Sequence, residues 1–193
     1  PDSVESIGEY YFQSCRSLTS VTLSASLTQI PDYTFAYCRA LKTITIPDSV
    51  TSIGNFAFRS CDLLETVAFP ESLISIGENA FAQCEALREV ELPDALETIG
   101  TSAFQDCPLL ESVSFGDSLD VIGNQSFYAC TSLKSIDIPD SVSSIGAYAF
   151  GDCSALADIS IGRGVSDVGV AAFYGTQLWN SYAEGTVVYV DGW

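Results

Sequence analysis

The amino-acid sequence repeats itself every 23 residues, and this period constrains the fold more than any other feature. Phenylalanine, leucine and a branched residue followed by glycine all recur at this step, and so does cysteine, at Cys15, Cys38, Cys61, Cys84, Cys107, Cys130 and Cys153. A unit this short cannot bury its own apolar face, so successive units must stack around a continuous core. The period therefore predicts a solenoid.

Each unit divides into three pieces. Residues 79–84 place small and large apolar side chains at helical spacing, which predicts a short helix or 3₁₀ turn. Residues 88–93 alternate polar and apolar residues and end at a proline, a pattern typical of a short strand. Residues 72–77 form a second short extended run that a glycine closes. About eight such coils would stack their short strands in parallel, ~4.8 Å apart.

The charge balance excludes several classes of partner. Seven lysines and arginines oppose 25 acidic residues, which gives a net charge of -18. Such a surface repels the phosphates of nucleic acids and anionic lipids. No apolar run approaches the ~18 residues of a membrane-spanning helix. We therefore expect no nucleic-acid partner and no membrane insertion by this stretch, and the acidic balance fits a secreted or salt-exposed protein.

The fixed positions spell a recognisable motif, Ile-Gly-x-x-Ala-Phe-x-x-Cys-x-x-Leu-x-x-Val-x-Leu-Pro-x-Ser-Leu. This motif resembles the BspA-type leucine-rich repeat, over residues 1–178. The resemblance implies a right-handed α/β leucine-rich-repeat solenoid, found on the surface of gut and oral bacteria and some protists and often used for adhesion. It implies a class of function and no particular ligand.

The last copy departs from the motif. Thr176 replaces the expected cysteine, and Trp179 follows where a strand would begin. We interpret residues 179–193 as a C-terminal cap or spacer that shields the last coil, because exposed ends of a solenoid invite edge pairing. The alternative is an interrupted repeat after which more repeats follow.

The cysteines are the most conspicuous chemical groups, yet their setting is structural. They share one repeat position next to the core phenylalanine, and the sequence has no histidine and no Cys-x-x-Cys pair. The usual zinc spacings and a histidine-activated nucleophile are therefore excluded. We predict a ladder of buried free thiols that act as small apolar side chains, with no cofactor and no metal.

A second ladder is acidic and follows the strand-ending proline or glycine. Carboxylates in neighbouring coils could share calcium, but acidic residues at this position also form turns, which is the interpretation we favour. The members are Asp48, Glu71, Asp94, Asp117 and Asp140.

Aromatic residues give the sharpest hypothesis for a binding site. Tyr10, Tyr33 and Phe56 occupy one repeat position in the first three copies, and Tyr11 and Tyr37 flank them. This position precedes the core phenylalanine by two and should be partly exposed, so the rings could bind a protein or a glycan. The alternative is that the rings stack on one another or on further repeats.

A weaker candidate is the outward face of the first strand, which presents short hydroxyl and acidic side chains in rows. Such residues are poor binding anchors and suit a solvated scaffold face. The row includes Thr22, Thr45, Glu91, Ser114 and Asp137.

These observations favour a non-enzymatic interaction or adhesion module of an extracellular or cell-surface protein, with a protein or glycan as its partner. One alternative is a rigid structural spacer between other domains. A third class, a carboxylate-dependent hydrolase, would need two facing carboxylates ~5–10 Å apart.

Overall fold

The computed structural model describes residues 3–181, which form a parallel-strand solenoid of about six turns. The second extended run of each repeat builds one seven-stranded parallel sheet. Its strands, in spatial order, are β1 (Gln29–Ile30), β3 (Ser52–Ile53), β5 (Ser75–Ile76), β7 (Thr98–Ile99), β9 (Val121–Ile122), β11 (Ser144–Ile145) and β13 (Asp167–Val168). Paired residues are 23 apart in sequence, as in Ile53 opposite Ile76.

The first strand of each repeat forms the other side of the solenoid. These strands make three parallel pairs, again in the 23-residue register. The pairs are β2 (Thr43–Thr45) with β4 (Thr66–Ala68), β6 (Glu89–Glu91) with β8 (Ser112–Ser114), and β10 (Ser135–Ile138) with β12 (Asp158–Ile161).

The expected helical segments do not form in residues 3–181, where the only helix is α1 (Gln177–Asn180). The segment after each glycine is instead a chain of turns. The amide of Cys61 bonds to the carbonyl of Phe58 within the coil, whereas the amide of Phe58 bonds to Ala80 of the next coil at 2.7 Å. Because alternate amides point along the solenoid axis, they cannot continue a helix within the coil.

The core is a column of phenylalanine rings enclosed by the two strand faces. Neighbouring rings from Phe12 to Phe173 stack with centroids 5.0–5.6 Å apart and interplanar angles of at most 10°. The six middle rings are fully buried. Offset stacking of this kind adds about 0.5–1.5 kcal/mol per pair to the burial of apolar area.

A glycine follows the branched residue of the second extended run in every copy but one, where Pro31 takes its place, and it allows the coils to approach closely. A Cβ on Gly123 would lie 2.6 Å from the carbonyl oxygen of Ile99 in the preceding coil, which is closer than real side-chain contacts. A Cβ on Gly8, in the first coil, would have no neighbour nearer than 4.0 Å. The glycine is therefore required by packing between coils.

At the C-terminal end, Thr176 replaces the cysteine and remains fully buried. Its hydroxyl donates a hydrogen bond to the carbonyl of Phe173 and accepts one from the amide of Trp179, which begins α1. The rest of the expected cap or interrupted repeat, residues 182–193, lies outside the described residues. Within residues 3–181, no helix is long and apolar enough to cross a membrane.

Candidate functional site

The three aromatic residues predicted as a binding site form a stacked row, which we call the aromatic ladder (Tyr10, Tyr33 and Phe56). The centroids of Tyr10 and Tyr33 are 4.8 Å apart at an interplanar angle of 14°, and those of Tyr33 and Phe56 are 4.7 Å apart at 7°. Tyr10 is half exposed, and the other two are partly buried. The rings therefore pack on one another while their edges face the surface.

The backbone of the ladder is in the left-handed region. The φ angles of Tyr10, Tyr33 and Phe56 are 61°, 56° and 58°, a conformation that glycine and asparagine adopt most easily. Later copies have the same conformation with small or polar side chains, such as Asn79 and Ser102. A bulky ring at each such position costs on the order of 1 kcal/mol, so the aromatic residues are not what the backbone alone would select.

A second row of side chains lies one residue before the aromatic ladder, and we call it the acidic column (Glu9, Asp32, Asn55 and Glu78). Asp32 accepts a hydrogen bond from the amide of Asn55 at 2.7 Å, and the Asn55 side-chain oxygen accepts one from the amide of Glu78 at 2.8 Å. Sequence reasoning did not identify this column. The signal was present as acidic residues recurring at the 23-residue step.

The ladder and the column share one electrostatic environment. Desolvation raises the pKa of the Tyr33 hydroxyl, and the nearby charges of Tyr10, Asp32 and Glu78 raise it further, whereas Arg59 opposes them. The guanidinium of Arg59 lies over the Phe56 ring, 5.5 Å from its centroid. This site therefore combines aromatic surface with negative charge, and one arginine of the chain already contacts it.

The two flanking tyrosines do not join the stack in residues 3–181. Tyr11 is two-thirds exposed and meets the core ring of Phe12 edge-on, with centroids 5.0 Å apart. Tyr37 occupies the other left-handed position of its coil, at φ 63°, and is partly buried.

The strand-face row is exposed throughout. Four members lie on the short strands, beside buried apolar residues, and stand in solvent on the outer face: Thr45, Glu91, Ser114 and Asp137. Thr22 is also exposed, but its segment is not a strand in the structure.

Six of the seven cysteines are buried, Cys15 being exposed, and none is in a disulfide. Each buried thiol donates a hydrogen bond to a phenylalanine carbonyl of the preceding coil, as from Cys84 to Phe58 at 3.4 Å. Burial raises the pKa of Cys38 to about 11 and that of Cys107 to about 12. The same donor–acceptor pair is found at Cys38, Cys61, Cys107, Cys130 and Cys153, at 3.1–3.3 Å.

In the acidic row after the strands, the contacts that are seen join neighbouring coils, one through a carboxylate and one through a main-chain carbonyl. The Asp140 carboxylate accepts a hydrogen bond from the amide of Arg163 at 2.7 Å, and the Asp48 carbonyl accepts one from the Ser72 hydroxyl at 2.7 Å. Among residues 3–181, no group of three or more acidic or cysteine side chains is arranged to hold a metal ion.

A surface groove of about 580 Å³ follows the cysteine position across several coils. Its acidic lining includes Asp62, Glu85 and Asp106, and Arg39 pairs with Asp62 at 3.5 Å. Exposed ion pairs of this kind contribute little to stability, and the groove brings no other reactive group together with these carboxylates.

Comparison with known proteins agrees with this architecture. A family model described as "BspA type Leucine rich repeat region" matches residues 1–109 and 74–191, in six copies. A leucine-rich repeat protein from Bacteroides ovatus is 31% identical, with a TM-score of 0.60, over 78% of this chain and 45% of that chain. The chain thus spans less than half of that protein.

Two further solved structures share the fold. The T. pallidum leucine-rich repeat protein TpLRR is 28% identical, with a TM-score of 0.75, over 81% of this chain and 73% of that chain. The pneumococcal vaccine antigen PcpA is 22% identical, with a TM-score of 0.52, over 81% of this chain and 56% of that chain, a similarity of fold alone. No match was found among the curated proteins.

Proposed function

Because the chain belongs to the family of BspA-type leucine-rich repeat proteins, we propose that it is a non-enzymatic protein-interaction and adhesion module of a secreted or cell-surface protein. The observation that carries this proposal is the aromatic ladder, Tyr10, Tyr33 and Phe56. The fold does not require rings at these positions, since Asn79 and Ser102 adopt the same backbone in later coils. Partly exposed aromatic side chains are the residues that most often anchor protein interfaces.

We also propose a division of the chain where the regular motif ends, with residues 1–178 as the repeat domain and residues 179–193 as a C-terminal cap or an interrupted repeat. The family match, which continues to residue 191, supports the second of these alternatives. The buried hydroxyl of Thr176, which begins α1, supports the first.

A rigid spacer is the main alternative function. The unbroken column of core rings from Phe12 to Phe173 gives this alternative its support, because a continuous core resists bending between coils. A carboxylate-dependent hydrolase has less support. Glu71 and Asp94 line one groove from the same repeat position in neighbouring coils, so they lie side by side, whereas glycoside hydrolysis needs carboxyl groups on either side of a bond.

The test is a binding array of extracellular-matrix proteins and glycans, probed with the chain and with the triple variant Tyr10→Asn, Tyr33→Asn, Phe56→Asn. Asparagine is the residue that the chain itself uses at this position in Asn79. We expect saturable binding to a protein that the triple variant loses. A matched control, Tyr148→Asn, removes an exposed ring from the same repeat position far from the ladder. Absence of saturable binding to every probe would favour the spacer.

A further inference from the structure

The chemistry around the aromatic ladder specifies its partner more closely. We infer that the ladder and the acidic column together bind a basic protein segment, with arginine or lysine side chains lying across the ring edges and pairing with the carboxylates. This inference rests on the proposed function, because it assigns the partner of the same surface. It separates the protein partner from the glycan partner that the sequence leaves open.

At Tyr33 and Phe56, the stacking geometry argues against a sugar. Carbohydrates bind aromatic residues by lying flat on a ring face, and Tyr33 has a ring on each of its faces, at 4.8 and 4.7 Å. Phe56 has Tyr33 on one face, and the guanidinium of Arg59 also lies over its ring. These two residues therefore expose mainly the edges of their rings, and Tyr33 also exposes its hydroxyl. Such a row suits the alkyl stems of long basic side chains, which can lie along an apolar surface while their charged ends reach polar groups.

The acidic column supplies those polar groups. Glu9, Asp32 and Glu78 place a carboxylate beside three of the first four coils, and Glu9 and Glu78 are exposed. A carboxylate stands directly before a ring in the first two coils, at Glu9 with Tyr10 and at Asp32 with Tyr33. Phe56 follows the neutral Asn55, and Glu78 adds a carboxylate in the next coil, where Asn79 replaces the ring. The two coils after that have neither group at these positions, and the later ring of Tyr148 follows the uncharged Ala147. Within residues 3–181, carboxylates of the column and rings of the ladder are therefore neighbours in the first coils alone, an arrangement that suits a cation-binding surface and that the core does not explain.

Arg59 shows within the chain that the surface accepts a guanidinium. Its Cζ lies 5.5 Å from the Phe56 centroid, within the usual range of a cation–π contact. Its Nε is buried and makes no hydrogen bond to any group of residues 3–181. An arginine from a partner would find the same combination of ring and carboxylate further along the ladder. The net charge of -18 would also steer a basic partner toward the molecule.

The experiment measures affinity by fluorescence anisotropy for a labelled peptide of alternating arginine and glycine at physiological ionic strength. A lysine–glycine peptide of equal length tests the dependence on guanidinium, a linear chitooligosaccharide tests the sugar alternative, and a polyglutamate peptide tests the sign of the charge. The ladder variant Tyr10→Asn, Tyr33→Asn, Phe56→Asn is compared with Tyr148→Asn. The column variant Glu9→Gln, Glu78→Gln is compared with Glu89→Gln, Glu91→Gln, which removes two charges from the exposed strand face.

We expect the ladder variant to weaken binding of the arginine peptide at least about fivefold, while Tyr148→Asn changes it less than about twofold. We also expect the column variant to weaken binding more than the strand-face variant does. Equal effects of each variant and its control would mean that the peptide binds the overall negative charge, and would overturn the inference. Binding of the oligosaccharide that the ladder variant loses would overturn it as well.

Failure of this inference is distinguishable from failure of the proposed function. A protein partner from the array whose binding survives the ladder variant would leave the interaction module intact and reject the ladder as its site. Absence of any saturable partner would reject the interaction module itself.

Discussion

Replacing Tyr33 with asparagine tests whether the aromatic ladder is a true stack. Tyr33 has two stacked neighbours, whereas Tyr148 occupies the same repeat position with no ring stacked on it in the described part of the chain. The φ angles are 56° and 54°, so asparagine relieves the same backbone strain at both sites. The difference in stability between Tyr33→Asn and Tyr148→Asn therefore measures the stacking contacts of Tyr33, together with any difference in the apolar area that the two rings bury.

The expected magnitude follows from the number of contacts. Each stacked pair contributes about 0.5–1.5 kcal/mol beyond area burial, so Tyr33→Asn should lower the free energy of unfolding by about 1–3 kcal/mol more than Tyr148→Asn does. Urea unfolding followed by far-ultraviolet circular dichroism measures both values, and unchanged m values show that the unfolding transition itself is the same. Near-ultraviolet dichroism reports the loss of ring coupling at the ladder.

A difference near zero, or a larger loss for Tyr148→Asn, would refute this reasoning. The rings would then be independent of one another, and their faces would be open to ligands. A sugar could then lie flat on a ring of the ladder, so this measurement should precede the binding experiments.

The remaining predictions concern the core. In the native protein a thiol reagent should modify Cys15 alone among residues 3–181, whereas all seven cysteines react in denaturant, and mass spectrometry counts the labels. Burial raises the pKa of Cys38 to about 11 and of Cys107 to about 12 from 9.0, so the folded state keeps protons that the unfolded state loses. The stability present below pH about 9 should then decline as pH rises toward about 12, and urea midpoints at stepped pH would show it; a constant midpoint would contradict it. Gly123→Ala should destabilise the fold strongly because its Cβ would strike the preceding coil, while Gly8→Ala should be neutral or slightly stabilising; equal melting temperatures would reject this packing account.

The core of this fold could be predicted from the sequence because each core position recurs in successive coils and has the same environment in each. Phe58, Cys61 and Ile76 each recur at 23-residue spacing, and all three are buried in the structure. The family identified from the motif is confirmed by the family match. The expected number of coils, about eight, stays a prediction, since the strands of residues 3–181 make about six turns.

The conformation of the turn segment could not be predicted from the sequence, because hydrogen bonds between coils determine it. Ala80 and Phe81 have spacing that a helix would also satisfy, so the local pattern predicted a helical turn. The amide of Phe81 instead bonds to Ala103 of the next coil at 2.7 Å. The left-handed backbone at the repeat positions of Asn79 and Gln83 could not be predicted either. Few copies have glycine or asparagine, the residues that favour this conformation, at these two positions.

The candidate site was predicted in part. The recurrence of Tyr10, Tyr33 and Phe56 located the rings, but their stacking could not be distinguished from independent exposure without coordinates. The acidic column was missed because Asp32 and Glu78 look like ordinary solvated residues until their coils are placed side by side.

The hydrogen bonds between coils have a mechanical consequence. Amides such as that of Gly100, which bonds to Ile76 of the preceding coil at 2.8 Å, point along the long axis of the molecule. A force applied to the two chain ends would load the bonds of the outermost coil first, and would peel the chain away one coil at a time. Such a molecule would yield at low force over a long extension, and would release an applied tension gradually.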